Sequence, residues 1–161
     1  MTDKLIIYYS STGYNQRVAN LIAQKTGADI FEVQPVKEYD KNMWAAWDVA
    51  KKEREDNNLP ALKTGYPDMS KYKQVFLGGP SWGFTVSNPL QSFLKMANFA
   101  GNDVYPWVTY YDHDEQYLAD LKRQLHNGQV HDLLELTMGT LNNQNQLEQT
   151  IDHWVKSKML V

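Results

Sequence analysis

Residues 4–23 read KLIIYYSSTGYNQRVANLIA, and this stretch decides the fold. Leu5 to Tyr9 is a short apolar and aromatic run, which is typical of a strand buried on both faces. A polar loop, residues 10–15, follows it. Apolar residues then recur at helical spacing up to Gly27, where the helix is expected to end. The stretch therefore predicts a buried strand, a hydroxyl-rich loop and an amphipathic helix in succession.

Strand and helix alternate along the rest of the chain. Further strands are predicted at Asp29 to Val33, Gln74 to Leu77, Asp103 to Tyr110 and Val130 to Leu136, and helices at Tyr39 to Asn58, Leu90 to Ala97, Glu115 to Leu125 and Leu147 to Val155. Five such alternations predict one α/β domain, residues 1–161, with a five-stranded parallel sheet and helices on both faces. Ligands of such sheets bind beyond the carboxyl ends of the strands, where the strand order reverses. The loops after the first, third and fourth strands are therefore the candidate site.

Composition excludes several classes of function. The 161 residues contain no Cys, which removes disulfides, thiolate metal sites and thiol catalysis together. The net charge is −3 and no basic run occurs, which argues against a nucleic-acid partner. No signal-peptide pattern and no apolar stretch of the ~20 residues that a membrane span needs is found. We expect a cytoplasmic protein that does not contact membranes, and we interpret the charged tract Lys51 to Asp56 as a solvated helix face.

The first loop has the composition of a phosphate cradle. It comprises Ser10, Ser11, Thr12, Gly13, Tyr14 and Asn15. Backbone N–H groups at a helix start, together with hydroxyls, can bind a phosphate. The loop lacks the Gly-Lys-Ser/Thr of a Walker P-loop and is not G-x-G-x-x-G. The alternative is a polar turn in which Ser, Thr or Asn caps the helix.

The second loop, residues 78–89, combines small residues with an aromatic pair. Trp82 and Phe84 just beyond a strand suit a planar ring stacked beside exposed backbone, unless both fold back onto the core. The loop also contains G-x-S-x-G from Gly79 to Gly83, in which Ser81 would be a hydrolase nucleophile, with Asp112 and His131 or His153 as its partners. That motif requires a helix immediately after the serine, whereas residues 85–89 are predicted to continue the loop.

The third loop is polar and aromatic. It runs from Thr109 through Tyr110, Tyr111, Asp112 and His113 to Asp114. Its tyrosines could flank a ring, or an aspartate could cap the next helix. The two acids would disfavour a bound anion, such as a reduced flavin. One ligand with a phosphate and a flat ring would span all three loops.

At this point the sequence resembles the flavodoxin family. The matching segments are Lys4 to Ala23, Thr26 to Pro35, Lys51 to Glu55 with Pro60 to Leu62, and Val75 to Leu94. The resemblance implies a three-layer sandwich with strand order 2-1-3-4-5 that binds FMN non-covalently and passes electrons one or two at a time. By position, residues 10–15 would bind the phosphate, residues Pro80, Ser81, Trp82, Gly83 and Phe84 would line the isoalloxazine, and Thr109 to His113 would close its other side. No catalytic residue is implied, because the redox chemistry belongs to the cofactor.

Three departures from the family pattern leave alternatives open. Asn15 replaces a threonine, the second aromatic of the second loop is shifted to Phe84, and bulky residues occupy the third loop. We therefore keep three functions: an electron carrier, an NAD(P)H-dependent FMN quinone reductase, and a flavin-free interaction domain. We expect a monomer or weak dimer whose partners are redox proteins or a small electron acceptor. Of the four histidines none has metal-ligand spacing, and His113 is a candidate to couple a proton to flavin reduction.

Overall fold

The structure, a computed structural model, describes residues 2–63, 65–99, 101–110 and 116–159, without the side chain of Met159. Its strands are β1 (Lys4–Tyr8), β2 (Asp29–Glu32), β3 (Gln74–Trp82), β4 (Thr85–Val86), β5 (Asp103–Tyr110), β6 (Gln129–Val130) and β7 (Leu134–Thr137). Its helices are α1 (Tyr14–Thr26), α2 (Met43–Glu55), α3 (Asn88–Met96), α4 (Tyr117–Gln124), α5 (Met138–Leu141) and α6 (Gln144–Met159), with a 3₁₀ turn at Met69–Lys71. None of the helices in these ranges is long and apolar enough to cross a membrane.

The order of the parallel strands confirms the predicted fold. The sheet runs β2-β1-β3-β5-β6, with β7 continuing the edge beside β5, which is the predicted 2-1-3-4-5 order. β1 pairs in parallel with β2 on one side and β3 on the other. The strand order therefore reverses at β1, and the loops after β1 and β3 leave the sheet next to each other.

The edge of the sheet differs from the prediction, because the expected fifth strand is divided into β6 and β7. Both pair in parallel with β5. Between these two pairings, the four residues 104–107 of β5 face the five residues 130–134 of the edge, so the edge has one residue more. Such a surplus residue makes a β-bulge and interrupts the ladder. At the break, the Nε2 atom of His131 lies 2.8 Å from the Asp103 carboxylate, and its ring stacks on Tyr105. These side-chain contacts hold the chain at the break.

β3 is longer than predicted. Gly78-Gly79-Pro80 was expected to end this strand, but all three residues pair with β5, and the strand continues to Trp82. A Cβ atom on Gly78 would lie 1.9 Å from the indole of Trp107, its neighbour on β5. Glycine occurs here because the Trp107 ring lies over the backbone of β3, and not because the chain turns.

The sheet separates two apolar layers. Because side chains of a strand alternate between faces, β1 sends Leu5 and Ile7 to one side and Ile6 and Tyr8 to the other. Tyr9, directly after the strand, lies on the side of Leu5 and Ile7. The first layer is completed by apolar residues of α3 and α4, including Leu90, Phe93, Leu94 and Leu121. The second is completed by α1 and α6, with Val18, Ile22, Leu147, Ile151 and Trp154. This is the three-layer arrangement that the sequence predicts.

The close approach of Gly78 and Trp107 generates a prediction for stability. In Gly78→Ala the new methyl group overlaps the indole ring, so that the free energy of unfolding falls by about 1–3 kcal/mol. Urea denaturation measures the change. The control is Gly65→Ala, where the added Cβ meets no atom within 4 Å. Equal stability of the two variants would show that Trp107 can move away without cost.

Candidate functional site

One cavity lies at the carboxyl edge of the parallel strands. Its volume is about 380 Å³, within the range of roughly 300–1,000 Å³ that ligand pockets span. It is lined by Ser11, Thr12, Tyr14, Asn15, Asp40, Lys41, Met43, Trp44, Ala46, Trp47, Pro80, Ser81, Trp82, Gly83, Phe84, Thr109 and Met138. Ten of the predicted site residues are thus in one place, drawn from all three predicted loops. The cavity also receives residues from a fourth segment, residues 40–47, which the sequence analysis did not assign to the site.

The first loop has the features of an anion site. Gly13 is the N-cap of α1, with φ 95°, and no side chain caps the helix. The expected alternative, a capping Ser, Thr or Asn, is therefore wrong. Within the described part of the chain, the main-chain N–H groups of Ser11 and Thr12 donate to no protein acceptor. Unpaired donors at a helix start are what a phosphate binds. Ser10 lies behind them, its hydroxyl accepting from the Gly13 N–H at 3.1 Å.

Asn15 joins this loop to the sheet. Its side chain is 3% exposed. Its Oδ1 accepts from the indole N–H of Trp107 at 2.8 Å, and its Nδ2 donates to the Thr109 hydroxyl at 2.9 Å. Buried amide groups require such partners. Asn15 lines the cavity while both ends of its amide hold the start of α1 against β5.

Trp82 is held edge-on between two tyrosines. Its ring centroid lies 5.5 Å from that of Tyr9 and 4.8 Å from that of Tyr39, with interplanar angles of 89° and 75°. Burial and the neighbouring carboxylates Glu38 and Glu53 raise the pKa of Tyr9 well above its usual value. Burial and a hydrogen bond to Glu53 do the same for the pKa of Tyr39. Both phenols stay neutral at physiological pH, so the two rings that contact Trp82 are uncharged.

A tight hairpin presents Phe84 beside this wall. Trp82 pairs with Thr85, and the two residues between them, Gly83 and Phe84, have φ of 60° and 66°. Two successive positive φ values define a type I′ turn. This conformation is strained for phenylalanine. Phe84 is nevertheless 56% exposed, so no burial in the core compensates the strain. Residues 85–86 form β4, and α3 begins at Asn88, where a continuing loop was expected.

The hairpin also packs against α2. A Cβ atom on Gly83 would lie 2.4 Å from the Trp47 ring, over which the Arg54 guanidinium lies at 5.2 Å. Arg54 donates to the Asn88 side chain at 2.6 Å, and Asn88 donates to Glu53 at 2.9 Å. The interpretation of residues 51–56 as a solvated face is therefore wrong for Glu53 and Arg54, which tie α2 to the start of α3.

Sequence reasoning missed the contribution of α2, because the segment was predicted only as a helix, Tyr39 to Asn58, with a solvated charged tract. Met43 and Trp44 are 50% and 72% exposed and line the cavity instead. Only Ala46 and Ala50 of this helix are buried. Two tryptophans on a helix whose buried residues are alanines are a signal that could have indicated a ligand-facing surface.

The third loop is described only at its beginning. Thr109 is buried and bonded to Asn15, and Tyr110 packs against the layer of α3 and α4. Tyr111, Asp112 and His113 lie outside the described residues. Nothing in the structure therefore bears on their predicted contact with a ring, or on proton coupling by His113.

The nucleophile elbow of a hydrolase does not fit the described geometry. Ser81 lies within β3 and pairs with Val86, so no helix follows it as a nucleophile elbow requires. In the part of the chain that the structure describes, no group of three His, Asp or Glu side chains could hold a metal ion.

Known structures share this fold. A flavoprotein of Lactobacillus acidophilus crystallised in complex with FMN superposes with a TM-score of 0.75 at 19% identity, over 84% of this chain and 93% of that chain. A protein of Bacteroides uniformis that is assigned as a flavoprotein superposes with a TM-score of 0.77 at 23% identity, over 96% of this chain and 98% of that chain. An NADPH-quinone reductase of P. pentosaceus superposes with a TM-score of 0.54 at 8% identity, over 98% of this chain and 97% of that chain. At identities this low the likeness shows the fold alone.

Sequence comparison identifies the family. No curated protein sequence matches the chain significantly. The sequence model of the family described as Flavodoxin matches residues 3–158, which is nearly the whole chain. Together with the strand order and the position of the cavity, this match establishes that the chain is a member of the flavodoxin family.

Proposed function

We propose that this protein binds FMN in the cavity at the carboxyl edge of the sheet and acts as a carrier of electrons. The observation that carries the proposal is the single cavity in which unpaired backbone donors at one end meet an aromatic wall at the other. FMN has a phosphate and a flat tricyclic ring joined by a ribityl chain, so it matches both ends. FMN is the cofactor of this site, in keeping with the family and with the FMN-bound Lactobacillus relative.

The residues present fit the phosphate. The uncapped start of α1, the free N–H groups of Ser11 and Thr12, and the loop hydroxyls supply donors without requiring a buried charge. Asn15 fixes the position of this loop relative to β5 through two hydrogen bonds. The donors are therefore held in place before the ligand arrives, which lowers the cost of binding.

The residues present also fit the ring. Trp82 ends β3, Phe84 lies in the turn that follows it, and Pro80 precedes both on β3. Exposed aromatic surface of this kind gains from contact with a flat ring. When bound, FMN supplies one- and two-electron transfer, whereas the protein positions it and limits its access to water.

The charge of the protein supports the carrier over the quinone reductase. The cavity, of about 380 Å³, has the size of a site for one small-molecule cofactor. The net charge of −3 favours basic redox partners through electrostatic steering.

A charge placed in the first loop tests the position of the phosphate. Thr12 is exposed, so Thr12→Glu puts a carboxylate beside the free N–H groups without disturbing the core. Repulsion of the phosphate should weaken FMN binding about tenfold or more, while riboflavin, which has no phosphate, keeps its affinity. Fluorescence titration measures both constants. The control is Thr12→Ser, which retains the hydroxyl and should bind both ligands like the original protein. Equal loss of both ligands in Thr12→Glu would place the phosphate elsewhere.

Steady-state kinetics distinguish the carrier from the reductase. The FMN-loaded protein, mixed with NADPH and a benzoquinone, should consume NADPH no faster than the same concentration of free FMN. The reason is that a carrier receives its electrons from a partner protein and does not itself accelerate hydride transfer from NADPH to the flavin. Sustained consumption that depends on protein concentration would contradict the carrier and support the reductase.

A further inference from the structure

The segment that leads into α2 brings two different side chains to the cavity. Lys41 and Trp44 both line it, three residues apart. The Asp40 carboxylate accepts from the Asn42 N–H at 2.7 Å, and the Asn42 side chain accepts from the N–H groups of Trp44 and Ala45 at 3.0 and 3.1 Å. This run of caps fixes the backbone between the two residues. Their placement is therefore a property of the folded segment and not of a freely moving tail.

Lys41 lies at the phosphate end of the cavity. Its ammonium donates to the main-chain carbonyl of Ser11 at 3.1 Å. The N–H groups of Ser11 and Thr12 in the same loop have no acceptor among the described residues. Of the described residues that line the cavity, Lys41 alone carries a positive charge. It forms no ion pair with any carboxylate that the structure describes. A cation held by a neutral carbonyl beside an anion site remains available to pair with an anion.

Trp44 lies on the apolar part of the cavity. It is 72% exposed, and Met43 and Phe84, which line the same cavity, are 50% and 56% exposed. Large apolar side chains gathered around one opening indicate a surface that a ligand covers. Trp44 comes from a different segment than the hairpin of Trp82 and Phe84. A flat ring bound there would therefore contact aromatic groups from two independent elements.

From these contacts we infer that residues 41–44 form a fourth FMN-binding element, in which Lys41 pairs with the phosphate and Trp44 covers the ring. This inference rests on the proposed function, because it assigns residues to the same ligand. It goes further in predicting how the site distinguishes flavins. Lys41 selects FMN over riboflavin, whereas Trp44 contributes equally to both.

Lysine substitution provides the first part of the test. Lys41→Met keeps the length of the side chain and removes its charge, so the affinity for FMN should fall about tenfold, while that for riboflavin stays within twofold. The FMN affinity of the variant should also depend less on salt. The matched control is Lys51→Met, an exposed lysine of α2 outside the cavity, which should leave both affinities unchanged.

Tryptophan substitution provides the second part. Trp44→Ala should lower the affinities for FMN and riboflavin by the same factor, of about five to fifty, because stacking on the ring does not involve the phosphate. Trp44→Phe should restore most of the affinity. Val49→Ala is the matched control, since Val49 is 49% exposed on the same helix but does not line the cavity.

The outcomes separate this inference from the proposed function. If the original protein binds neither flavin, the proposed function fails. If it binds FMN, but Lys41→Met lowers both affinities equally or neither, Lys41 does not contact the phosphate. If Trp44→Ala leaves both affinities unchanged, Trp44 does not cover the ring. Circular dichroism of each variant shows that it is folded before its affinity is interpreted.

Discussion

The buried hydrogen bonds of Asn15 are the constraint on which the site depends. This one side chain joins the first turn of α1 to Trp107 and Thr109 of β5, two strands away from β1. The Trp107 indole can reach it only because Gly78 on the intervening strand has no side chain. A missing Cβ on β3 thus allows a ring of β5 to reach across the sheet to the loop after β1. The two sides of the carboxyl edge are fixed relative to each other before any ligand binds.

The cavity at this edge has two chemically different ends, one suited to a phosphate and the other to a flat ring. One end offers backbone donors at the uncapped start of α1, and the other offers neutral aromatic groups. Other groups of the protein cover little of the aromatic end, where Trp44 and Phe84 are largely exposed. Phe84 is both strained and exposed, so packing within the described fold does not explain its conformation. Its strain therefore supports the same conclusion, that a ligand covers this end. A bound flavin would contact the donors and the rings at once.

The sequence predicts those elements correctly whose local pattern of apolar residues shows that they are buried. β5 was predicted at Asp103 to Tyr110 and has these bounds, and the strand order follows from the family. It failed where tertiary contacts decide. His131 contacts Asp103 and Tyr105 of β5 where β6 and β7 divide, and Trp107 of β5 lies against Gly78 of β3. None of these contacts is visible in the local sequence pattern. The role of α2 was missed because helical periodicity cannot distinguish a face that packs on the core from one that lines a cavity.

The visible absorption spectrum is the most direct test that the cavity binds FMN. The protein is mixed with FMN, passed through a desalting column to remove the excess, and its spectrum and tryptophan fluorescence are recorded. We predict that flavin bands stay with the protein and that the fluorescence of the tryptophans around the cavity is quenched. A colourless protein with unchanged fluorescence would contradict the account, and would indicate a flavodoxin fold that serves as an interaction domain without a flavin.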